Sequence, residues 1–422
     1  MRRLLALALT FMLAGCADRP PVTDAPGPSA DLSSAPLQST PTPTPTPTPP
    51  LTGDVGQWTA LRWEAPVFTR QFETIGDVIA WNGGYVSVGQ SQNAQGEMQA
   101  AAWASADWSS WDQTLVDAPV AGGSSLLRVL GLGLRLVGIG WSGIQHCLPP
   151  EGEAQVCDPL PIAVWSSADG RSWVHEAPTA AFDRAQIVGA VAADGFIIAV
   201  GGTGWNDPGI WTSADGASWQ AETLPAEQFA NAHLMSIATV PGGMVVTGST
   251  GGKEPGCCVG GQSDTTPAAW FSTDGLRWQR AAVVGGAGAI GDAIGPVFVG
   301  ANGMIALGQG ENTSGWGSTN GRLWTAARPQ TGDPIFAQAS DGRRIIGTSF
   351  ADGDHLAMWV SSDGATWSAL KAIGASDKMP SWSGDTGPTA DEAFLFPDAL
   401  GLVGQDGTGR TPMWLATGVT GP

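Results

Sequence analysis

The stretch Trp211-Thr212-Ser213-Ala214-Asp215-Gly216-Ala217-Ser218-Trp219 recurs along the chain and decides its fold. The same pattern, W-x-S-x-D-G-x-x-W, is found again at residues 165–173, 270–278 and 359–367. Two further copies are degenerate: Trp108 replaces the glycine in residues 103–111, and Asn320 replaces the aspartate in residues 316–324. A pattern repeated at such spacing predicts a repeat architecture in which each copy is one structural unit.

Each copy combines strand-forming with turn-forming residues. Large and small residues alternate around the first tryptophan, which favours a half-buried strand. Ser-x-Asp-Gly favours a tight turn, because the aspartate can accept backbone N–H groups and glycine adopts a positive φ without steric cost. A residue present in nearly every unit is not a unique catalytic centre, so we interpret these positions as structural. They are Asp54, Asp107, Asp169, Asp215, Asp274, Asn320 and Asp363.

A second hairpin precedes each tryptophan hairpin. Glycine-containing pairs mark its expected two-residue turns. These pairs are Asn82-Gly83, Asp194-Gly195, Gly242-Gly243, Asn302-Gly303 and Asp341-Gly342. The apolar strands that follow end in glycine, at Gly89, Gly138, Gly201, Gly248, Gly308, Gly347 and Gly404. Four strands per unit, a to d, repeated every roughly 45–60 residues, predict the blades of a β-propeller.

The number of blades follows from the tryptophan expected at the start of each strand c. It occurs at Trp103, Trp165, Trp211, Trp270, Trp316, Trp359 and Trp414. The last copy stops before its strand d, whereas residues 52–58 contain a Thr-x-Asp turn followed by Trp58. We therefore predict an all-β, seven-bladed propeller with four-stranded blades, closed by the N-terminal strand pairing in the last blade. A six-bladed ring with a damaged extra repeat is the alternative.

This repeat resembles the Asp-box, or BNR, repeat of sialidase-like β-propellers, which also occurs in secreted bacterial proteins. The resemblance covers nearly the whole folded part of the chain and implies the propeller fold. Fold does not fix function, so two hypotheses remain. One is a binding or assembly module without inferred catalysis, and the other is a sialidase-like glycan-processing hydrolase.

Sialidase chemistry is weighed on the residues that the resemblance implies. Those enzymes use three arginines on the substrate carboxylate, a Tyr/Glu nucleophile pair and an acidic residue. The single tyrosine, Tyr85, lies in an apolar strand b, so we interpret it as a core residue. Arg70, Arg128, Arg184 and Arg328 fall near the d–a connections and could converge on an anion, although arginines are also ordinary at a protein surface.

The first residues carry a targeting signal. Arg2-Arg3 precede a short apolar run, and Leu13-Ala14-Gly15-Cys16 resembles the bacterial lipobox. We predict a lipoprotein signal peptide at 1–15, a disordered Pro/Thr-rich linker at 16–51 with lipidated Cys16, and the propeller at 52–422. The predicted location is the extracellular side of a bacterial cell membrane, through a lipid anchor. An ordinary signal peptide with a chance cysteine is the alternative.

Composition excludes several classes of function. The formal net charge of −19 argues against nucleic-acid binding. The histidines show no metal-ligand spacing and no phosphate-binding loop is present, so we predict no metal, no cofactor and a monomeric propeller. The predicted extracellular location is oxidising, which makes Cys147, Cys157, Cys257 and Cys258 disulfide candidates, with free thiols as the alternative.

Propeller topology predicts the ligand-binding face. The b–c and d–a connections share one face, here called the b–c face, and the a–b and c–d turns share the other, the Asp-box face. The long insertions, at 90–99, 142–161 and 250–267, are all b–c loops. Loops on a rigid scaffold often carry binding sites, so we expect an extracellular protein or glycan ligand there. Candidate residues are Trp141, His146, Trp205, Asn206, Asp207, Arg128 and Arg184.

Overall fold

A computed structural model describes much of the chain from Trp58 to Thr420. The described residues are 58–116, 122–144, 159–204, 207–251, 265–285, 293–309, 315–327, 335–350, 356–374, 380, 389–406 and 408–420. The predicted signal peptide and linker lie outside them, as do all five cysteines. The other candidates outside them are Asp54, His146, Trp205, Asn206 and Arg328.

Seven sheets with a four-stranded a–b–c–d core form a ring, which confirms the predicted seven-bladed β-propeller. Blades 1 to 7 are numbered in chain order, and strands a of adjacent blades lie against one another near the axis. Strands a are Thr74–Trp81, Ser124–Leu132, Ala185–Ala193, Ala232–Val240, Ala293–Val299, Phe336–Ser340 and Thr389–Leu395. Strands b are Gly84–Gln92, Arg135–Ser142, Phe196–Thr203, Gly243–Gly251, Met304–Gln309, Ile345–Phe350 and Ala399–Gln405.

The outer strands complete each blade. Strands c are Met98–Ser105, Ile162–Ser167, Asp207–Ser213, Thr265–Ser272, Gly315–Ser318, Leu356–Ser361 and Pro412–Thr420. Strands d of blades 1 to 6 are Asp112–Leu115, Val174–His175, Gln220–Ala221, Gln279–Arg280, Leu323–Ala327 and Ser368–Ala369. Helix is confined, among the described residues, to the single turns Ala180–Phe182 and Ala226–Phe229, which belong to d–a connections.

The N-terminal strand closes the ring, as the sequence predicts. Trp58–Trp63 pairs antiparallel with Pro412–Thr420 and is strand d of blade 7. Lys371–Ile373, which follows strand d of blade 6, pairs in parallel with its other side. The closing strand is therefore held between two strands and is not a sheet edge, where unpaired backbone groups would be free to pair elsewhere. The short strand Val67–Phe68 continues the closure by pairing with the start of strand c.

A similar fifth strand adds to blade 5. Ala282–Val284 leaves strand d of blade 4 and pairs in parallel with Leu323–Ala327. These parallel strands are absent from the sequence prediction, because each is only three residues long and carries no repeat motif. They tie blade 4 to blade 5 and blade 6 to blade 7 by backbone hydrogen bonds in addition to side-chain packing.

Every strand a contains a β-bulge at the equivalent place, and a strand-b glycine lies opposite it. Gly201 pairs with Ile187 beside one bulge, and a Cβ added to it would lie 1.8 Å from the Gln186 carbonyl oxygen. The backbone therefore approaches too closely for a side chain, which accounts for the glycine near the end of strand b. In blade 2 the residue in this position is Gly140 rather than the predicted Gly138.

The a–b turns differ from the prediction in three blades. In blade 4 the turn residues are Pro241 and Gly242 rather than Gly242-Gly243, because Val240 pairs directly with Gly243. Proline favours the first central position of a turn, and Gly242, with φ of 80°, supplies the second. The turns of blades 5 and 6 are residues 300–303 and Gly342-Arg343.

Tryptophans of strand c anchor the apolar clusters between neighbouring blades. Trp103, Trp165, Trp211, Trp270, Trp316 and Trp414 are buried. In blades 1 to 4 they lie in the second half of strand c rather than at its predicted start, because the strand extends further on the N-terminal side, whereas Trp316 and Trp414 lie near the start of theirs. Trp211 also donates its indole N–H to the Ala181 carbonyl at 2.8 Å, which holds the single-turn helix of blade 3 in place.

Asp215 organises the c–d turn of blade 3. Its Oδ1 accepts the N–H groups of Ala217 and Ser218 at 2.8 and 2.6 Å, and Ser213 Oγ accepts the N–H of Gly216 at 2.8 Å. The same pattern surrounds Asp169, Asp274, Asn320 and Asp363. The Ser218 N–H above all, with the Ala217 N–H and the Ser218 hydroxyl, lowers the pKa of Asp215 to about 2.

The turn aspartates are expected to make stability depend on acid. Because the folded-state pKa of Asp215 is depressed, its contribution is present above the unfolded value near 3.8 and is lost as the pH falls towards about 2. Asp215→Ala is expected to cost on the order of 1–2 kcal/mol, since the turn loses its acceptor but the side chain is exposed. Asp215→Asn is expected to fold, as the natural Asn320 does, with a weaker decline below pH 4.

Thermal unfolding of these variants between pH 2 and 6 measures the effect. Asp183→Asn, which removes an exposed carboxylate from a d–a connection, is the control for the loss of charge. A pH profile of Asp215→Asn identical to that of the wild type would contradict the assignment of the depressed pKa to this turn.

Candidate functional site

The structure places the described candidate ligand-binding residues on blades 2 and 3, with Arg184 and Asp207 at the same end of blade 3. Trp141 is half-buried near the end of strand b of blade 2, close to Gly123. Asp207 is exposed at the start of strand c of blade 3. Arg184 is exposed on the d–a connection of blade 3, where its φ is 55°. These three side chains belong to different elements of the b–c face.

Arg128 forms hydrogen bonds between blades 1 and 2. Its guanidinium donates to the carbonyl oxygens of Gly76 and Leu127 at 3.1 and 3.0 Å. The neighbouring Asp77 accepts the N–H groups of Val78 and Val129, and so links two strands a. Burial raises the pKa of Asp77, and the Arg128 charge opposes that shift. This pair stabilises the contact between strands and leaves Arg128 committed to protein acceptors.

The residues weighed for sialidase chemistry do not meet. Arg70, Arg128 and Arg184 share no hydrogen-bond partner in the part of the chain that is described. Tyr85 packs edge-on against Trp108 and Phe396, with ring centroids 5.1 and 5.0 Å away. Burial, with the charges of Asp398 and Glu64, raises the pKa of its phenol, which disfavours a nucleophilic phenolate.

Contacts between neighbouring blades follow a common rule at five of their interfaces. The turn glycine of one blade lies on a β-branched residue in strand b of the preceding blade, and an added Cβ would meet that residue at 2.3 to 2.6 Å. The pairs are Gly170 with Val86, Gly216 with Val137, Gly275 with Ile198, Gly321 with Val245 and Gly364 with Ile305. Glycine is required here both for its positive φ and for this close approach.

The interface between blades 7 and 1, called the 7–1 interface, reverses this rule. Trp108 occupies the turn position with φ of 71°, although a bulky residue rarely adopts that conformation. The strand-b position of blade 7 that faces it is Gly401, whose added Cβ would lie 2.5 Å from Cη2 of Trp108. The large and small residues have exchanged places, and a strained backbone is retained. Such an outlier is a reason to look for function nearby.

Aromatic side chains fill the 7–1 interface. Trp108 packs edge-on against Tyr85, Trp111 and Phe396 with ring centroids 5.1 to 5.9 Å apart. The indole N–H groups of Trp108 and Trp111 are buried and have no acceptor among the described residues. A buried donor without an acceptor costs free energy, and the indole N–H groups of Trp316 and Trp414 are in the same state.

A crevice of about 380 Å³ opens at the outer side of the 7–1 interface. One wall is the d–a connection through Thr69, Arg70 and Glu73, which belongs to the b–c face. We call this cavity the Glu73 crevice. Its lining residues are Val67, Phe68, Thr69, Arg70, Glu73, Trp103, Trp111, Asp112, Gln113 and Met413. A second cavity, of about 300 Å³, lies at the same interface beside Trp81, Tyr85 and Asp398.

Glu73 is the most unusual residue of the crevice, since it is only 5% exposed. Its Oε1 accepts Nε2 of Gln113 at 2.8 Å and the Ser91 hydroxyl at 3.3 Å. Its Oε2 accepts the Arg70 N–H at 2.8 Å, and its own backbone carbonyl accepts the Thr411 hydroxyl. Three donors thus hold the carboxylate in a fixed orientation, while Thr411 fixes the Glu73 backbone, and such preorganisation is what binding sites need.

The rim of the crevice carries charged and apolar side chains. Phe68 is 38% exposed, and the Arg410 guanidinium lies 4.6 Å from its ring centroid. Asp112 is exposed and pairs with Arg171 of blade 2 at 2.7 Å. Arg70 is exposed. The crevice therefore combines aromatic walls and a buried acid with charged and apolar side chains at its mouth.

Sequence reasoning missed this site, although one signal was available. Trp108 is visible as the departure from glycine in one repeat, but the reciprocal Gly401 is not, because it lies in another blade. Glu73 has no repeat counterpart and carries no motif. No group of three His, Cys, Asp or Glu side chains within the described ranges is arranged to hold a metal ion. No helix in those ranges is long and apolar enough to span a membrane.

Comparison with solved structures finds matches of low sequence identity. YCF48 bound to a D1 peptide matches with a TM-score of 0.52 and 15% identity, over 87% of this chain and 99% of that one. A Trypanosoma rangeli sialidase in complex with the inhibitor DANA matches with a TM-score of 0.38 and 11% identity, over 86% of this chain and 59% of the enzyme. A puromycin-hydrolysing peptidase of Mycobacterium tuberculosis matches with a TM-score of 0.47 and 10% identity, over 82% and 52% of the two chains.

The similarity to YCF48 supports the propeller fold and nothing finer. No protein-family model matches the chain, and no curated protein matches it. The function has to be argued from the residues of this chain.

Proposed function

We propose that this protein is a binding module, held at the outer surface of a bacterial cell by a lipid on Cys16, and that the Glu73 crevice is its ligand site. The observation that carries the proposal is the buried, preorganised Glu73 carboxylate inside an aromatic-walled cavity. Cavities with apolar walls and a few fixed polar groups are the usual form of a ligand site. The ligand is an extracellular protein or small molecule.

The path of the chain supports an outward-facing crevice. Trp58, at the start of the closing strand, pairs with Thr420 at the end of strand c of blade 7. That end of strand c leads to the Asp-box face, so the described chain begins, at Trp58, on this face. A lipid anchor at Cys16 would then direct the Asp-box face towards the membrane. The d–a wall of the crevice, on the b–c face, would face partners outside the cell.

Binding is favoured over sialidase-like hydrolysis by the surroundings of the relevant residues. Arg128 is committed to backbone acceptors, and the Tyr85 phenol is partly buried with a raised pKa. A propeller of the same fold, YCF48, is described in complex with a peptide, so the architecture is compatible with protein ligands.

Cys16→Ser is expected to release the protein from the membrane fraction, because a serine in this position offers no thiol for the lipid. The measurement is the distribution of the protein between membrane and soluble fractions, with mass spectrometry of the mature N-terminus. Unchanged membrane retention without lipid on the wild-type N-terminus would contradict the anchoring proposal.

Site-specific photo-crosslinking on intact cells tests the binding role. The full-length protein carries p-benzoylphenylalanine at Arg70, which is exposed in the crevice wall, or at Gln220, which is exposed on strand d of blade 3. We expect discrete crosslinked products from position 70 and none from position 220. Products from position 220 alone, or from neither position, would contradict a ligand site in the Glu73 crevice.

A further inference from the structure

We infer that the Glu73 crevice recognises an organic cation, an ammonium or guanidinium group, presented by a basic side chain of a protein or by a small free amine. This inference deepens the proposed function and rests on it. It names the chemical class that the described contacts select. Three features support it: the neutral partners of Glu73, the aromatic walls of the crevice and the negative charge of the chain.

The donors around Glu73 are all neutral. They are a backbone N–H, a hydroxyl and a carboxamide, from Arg70, Ser91 and Gln113. No ion pair found among the described residues involves Glu73. Buried carboxylates are ordinarily paired with a cation, because a charge removed from water is costly without one. A buried carboxylate with neutral donors, lining an open cavity, has room for a cation supplied by a ligand.

The walls of the crevice suit the same class of ligand. Trp103 and Trp111 line it from blade 1, and Phe68 lines it from the chain segment that enters blade 1. Aromatic faces attract cations through the ring quadrupole, most strongly for tryptophan and where water is excluded. An ammonium or guanidinium group placed between these rings and Glu73 would receive both attractions at once.

The existing charges at the rim show that a guanidinium can be held here. Arg171 of blade 2 reaches Asp112, a crevice residue, at 2.7 Å, and Arg410 lies over Phe68. Both residues at this rim are exposed, so a ligand cation could compete for these partners. The formal net charge of −19 adds a field that draws cations towards the protein.

Other ligand classes fit less well. An anion could pair with the exposed Arg70 guanidinium at the mouth, but inside the crevice it would meet the buried Glu73 carboxylate, which repels it. A neutral sugar could stack on Trp111 or Phe68, but it would leave the carboxylate without a counter-charge. The sugar is therefore an outcome that the experiment must be able to detect.

Isothermal titration calorimetry of the full-length protein tests the inference. The probes are N-acetyl-arginine methylamide and N-acetyl-lysine methylamide for a side chain, and tetramethylammonium for a free amine. N-acetyl-citrulline methylamide, which has the shape of the arginine probe without its charge, is the matched control ligand. At least one cation is expected to bind saturably and at least about tenfold more tightly than the citrulline probe. Preference for the amino-acid amides or for tetramethylammonium identifies the source.

Variants locate the binding. Glu73→Gln and Trp111→Leu are each expected to weaken cation binding about tenfold, because each removes one of the two attractions. Glu97→Gln, which removes an exposed carboxylate from the same blade, is expected to change affinity less than about twofold. The thermal midpoint of each variant is measured alongside, and Trp111→Leu provides the test should Glu73→Gln fail to fold.

The outcomes separate this inference from the proposed function. Equal binding of the arginine and citrulline probes, or of a neutral monosaccharide in preference to every cation, would overturn the cation assignment. Crosslinks from position 70 that an excess of the cations does not reduce would overturn it too, while leaving the crevice as the ligand site. Absence of those crosslinks would instead remove the proposed function itself.

Discussion

Replacing Gly401 by valine is expected to destabilise the propeller by about 3 kcal/mol or more, because the added side chain enters the space of the Trp108 ring. A Cβ alone would lie 2.5 Å from Cη2 of Trp108 and 3.1 Å from the Phe396 ring. Trp108 and Phe396 are both buried in the 7–1 interface, so the added side chain would displace packed rings. Urea denaturation followed by far-ultraviolet circular dichroism measures the loss.

Adding Trp108→Gly to Gly401→Val is expected to recover most of that stability. The pair would then carry glycine in the turn and a β-branched residue in strand b, as Gly170 and Val86 do at the 1–2 interface. Trp108→Gly alone leaves a cavity and is expected to cost about 2–4 kcal/mol despite relief of the strained φ. The two substitutions should therefore be coupled by at least about 2 kcal/mol, with the double variant more stable than additivity requires.

A steric clash at a distant glycine provides the control for this double-mutant cycle. Gly347→Val places a Cβ 2.6 Å from Ile335 in blade 6, far in sequence from Trp108 and without contact to it. Trp108→Gly is expected not to rescue that variant. Additive losses in both double variants would contradict the exchange of large and small residues at the 7–1 interface.

Trp58→Ala is expected to destabilise the ring by about 3–5 kcal/mol, because it empties a large site in the closing strand. Trp58 is buried, the Arg344 guanidinium lies 4.0 Å from its ring centroid, and a Cβ on Gly418 would overlap its ring at 1.9 Å. Arg344 is itself only 4% exposed and also binds Asp341 at 2.7 Å. Loss of Trp58 thus loosens contacts in both blades that hold the closing strand.

Urea denaturation and limited proteolysis measure this closure. Trp173→Ala, at the half-buried tryptophan that precedes strand d of blade 2, is the control and is expected to cost less. Early cleavage next to the closing strand is expected in Trp58→Ala and not in Trp173→Ala. Equal losses in the two variants, with identical cleavage patterns, would show that the N-terminal strand is no more critical than any other strand d.

The fold was largely predictable from the sequence, because its determinants are local and repeated. The Ser213-x-Asp215-Gly216 turn forms its own hydrogen bonds, and the same chemistry recurs in most blades. The end of the array after Trp414 and the matching residues before Trp58 were enough to predict closure. The parallel strand Lys371–Ile373 was not predictable, since its pairing depends on a neighbouring blade.

Most of the candidate site could not be predicted from the sequence, because its determinants are neither local nor repeated. Glu73 is held by Ser91 and Gln113 from two other strands of blade 1 and by Thr411, which ring closure brings in from blade 7. Sequence reasoning instead favoured the long b–c loops, of which much lies outside the described residues. The departure at Trp108 was noticed as a degenerate repeat, but its meaning required the position of Gly401.

The most direct test of a ligand at the Glu73 crevice is hydroxyl-radical footprinting of the full-length protein, read by mass spectrometry. Labelling of Trp111 and Phe68 is compared between intact cells and the purified protein, with Val174, 64% exposed on strand d of blade 2, as the reference. The account predicts that Trp111 and Phe68 lose labelling on cells at least about threefold relative to Val174, because a bound ligand covers them. Equal labelling of Trp111 and Phe68 on cells and in purified protein would contradict it.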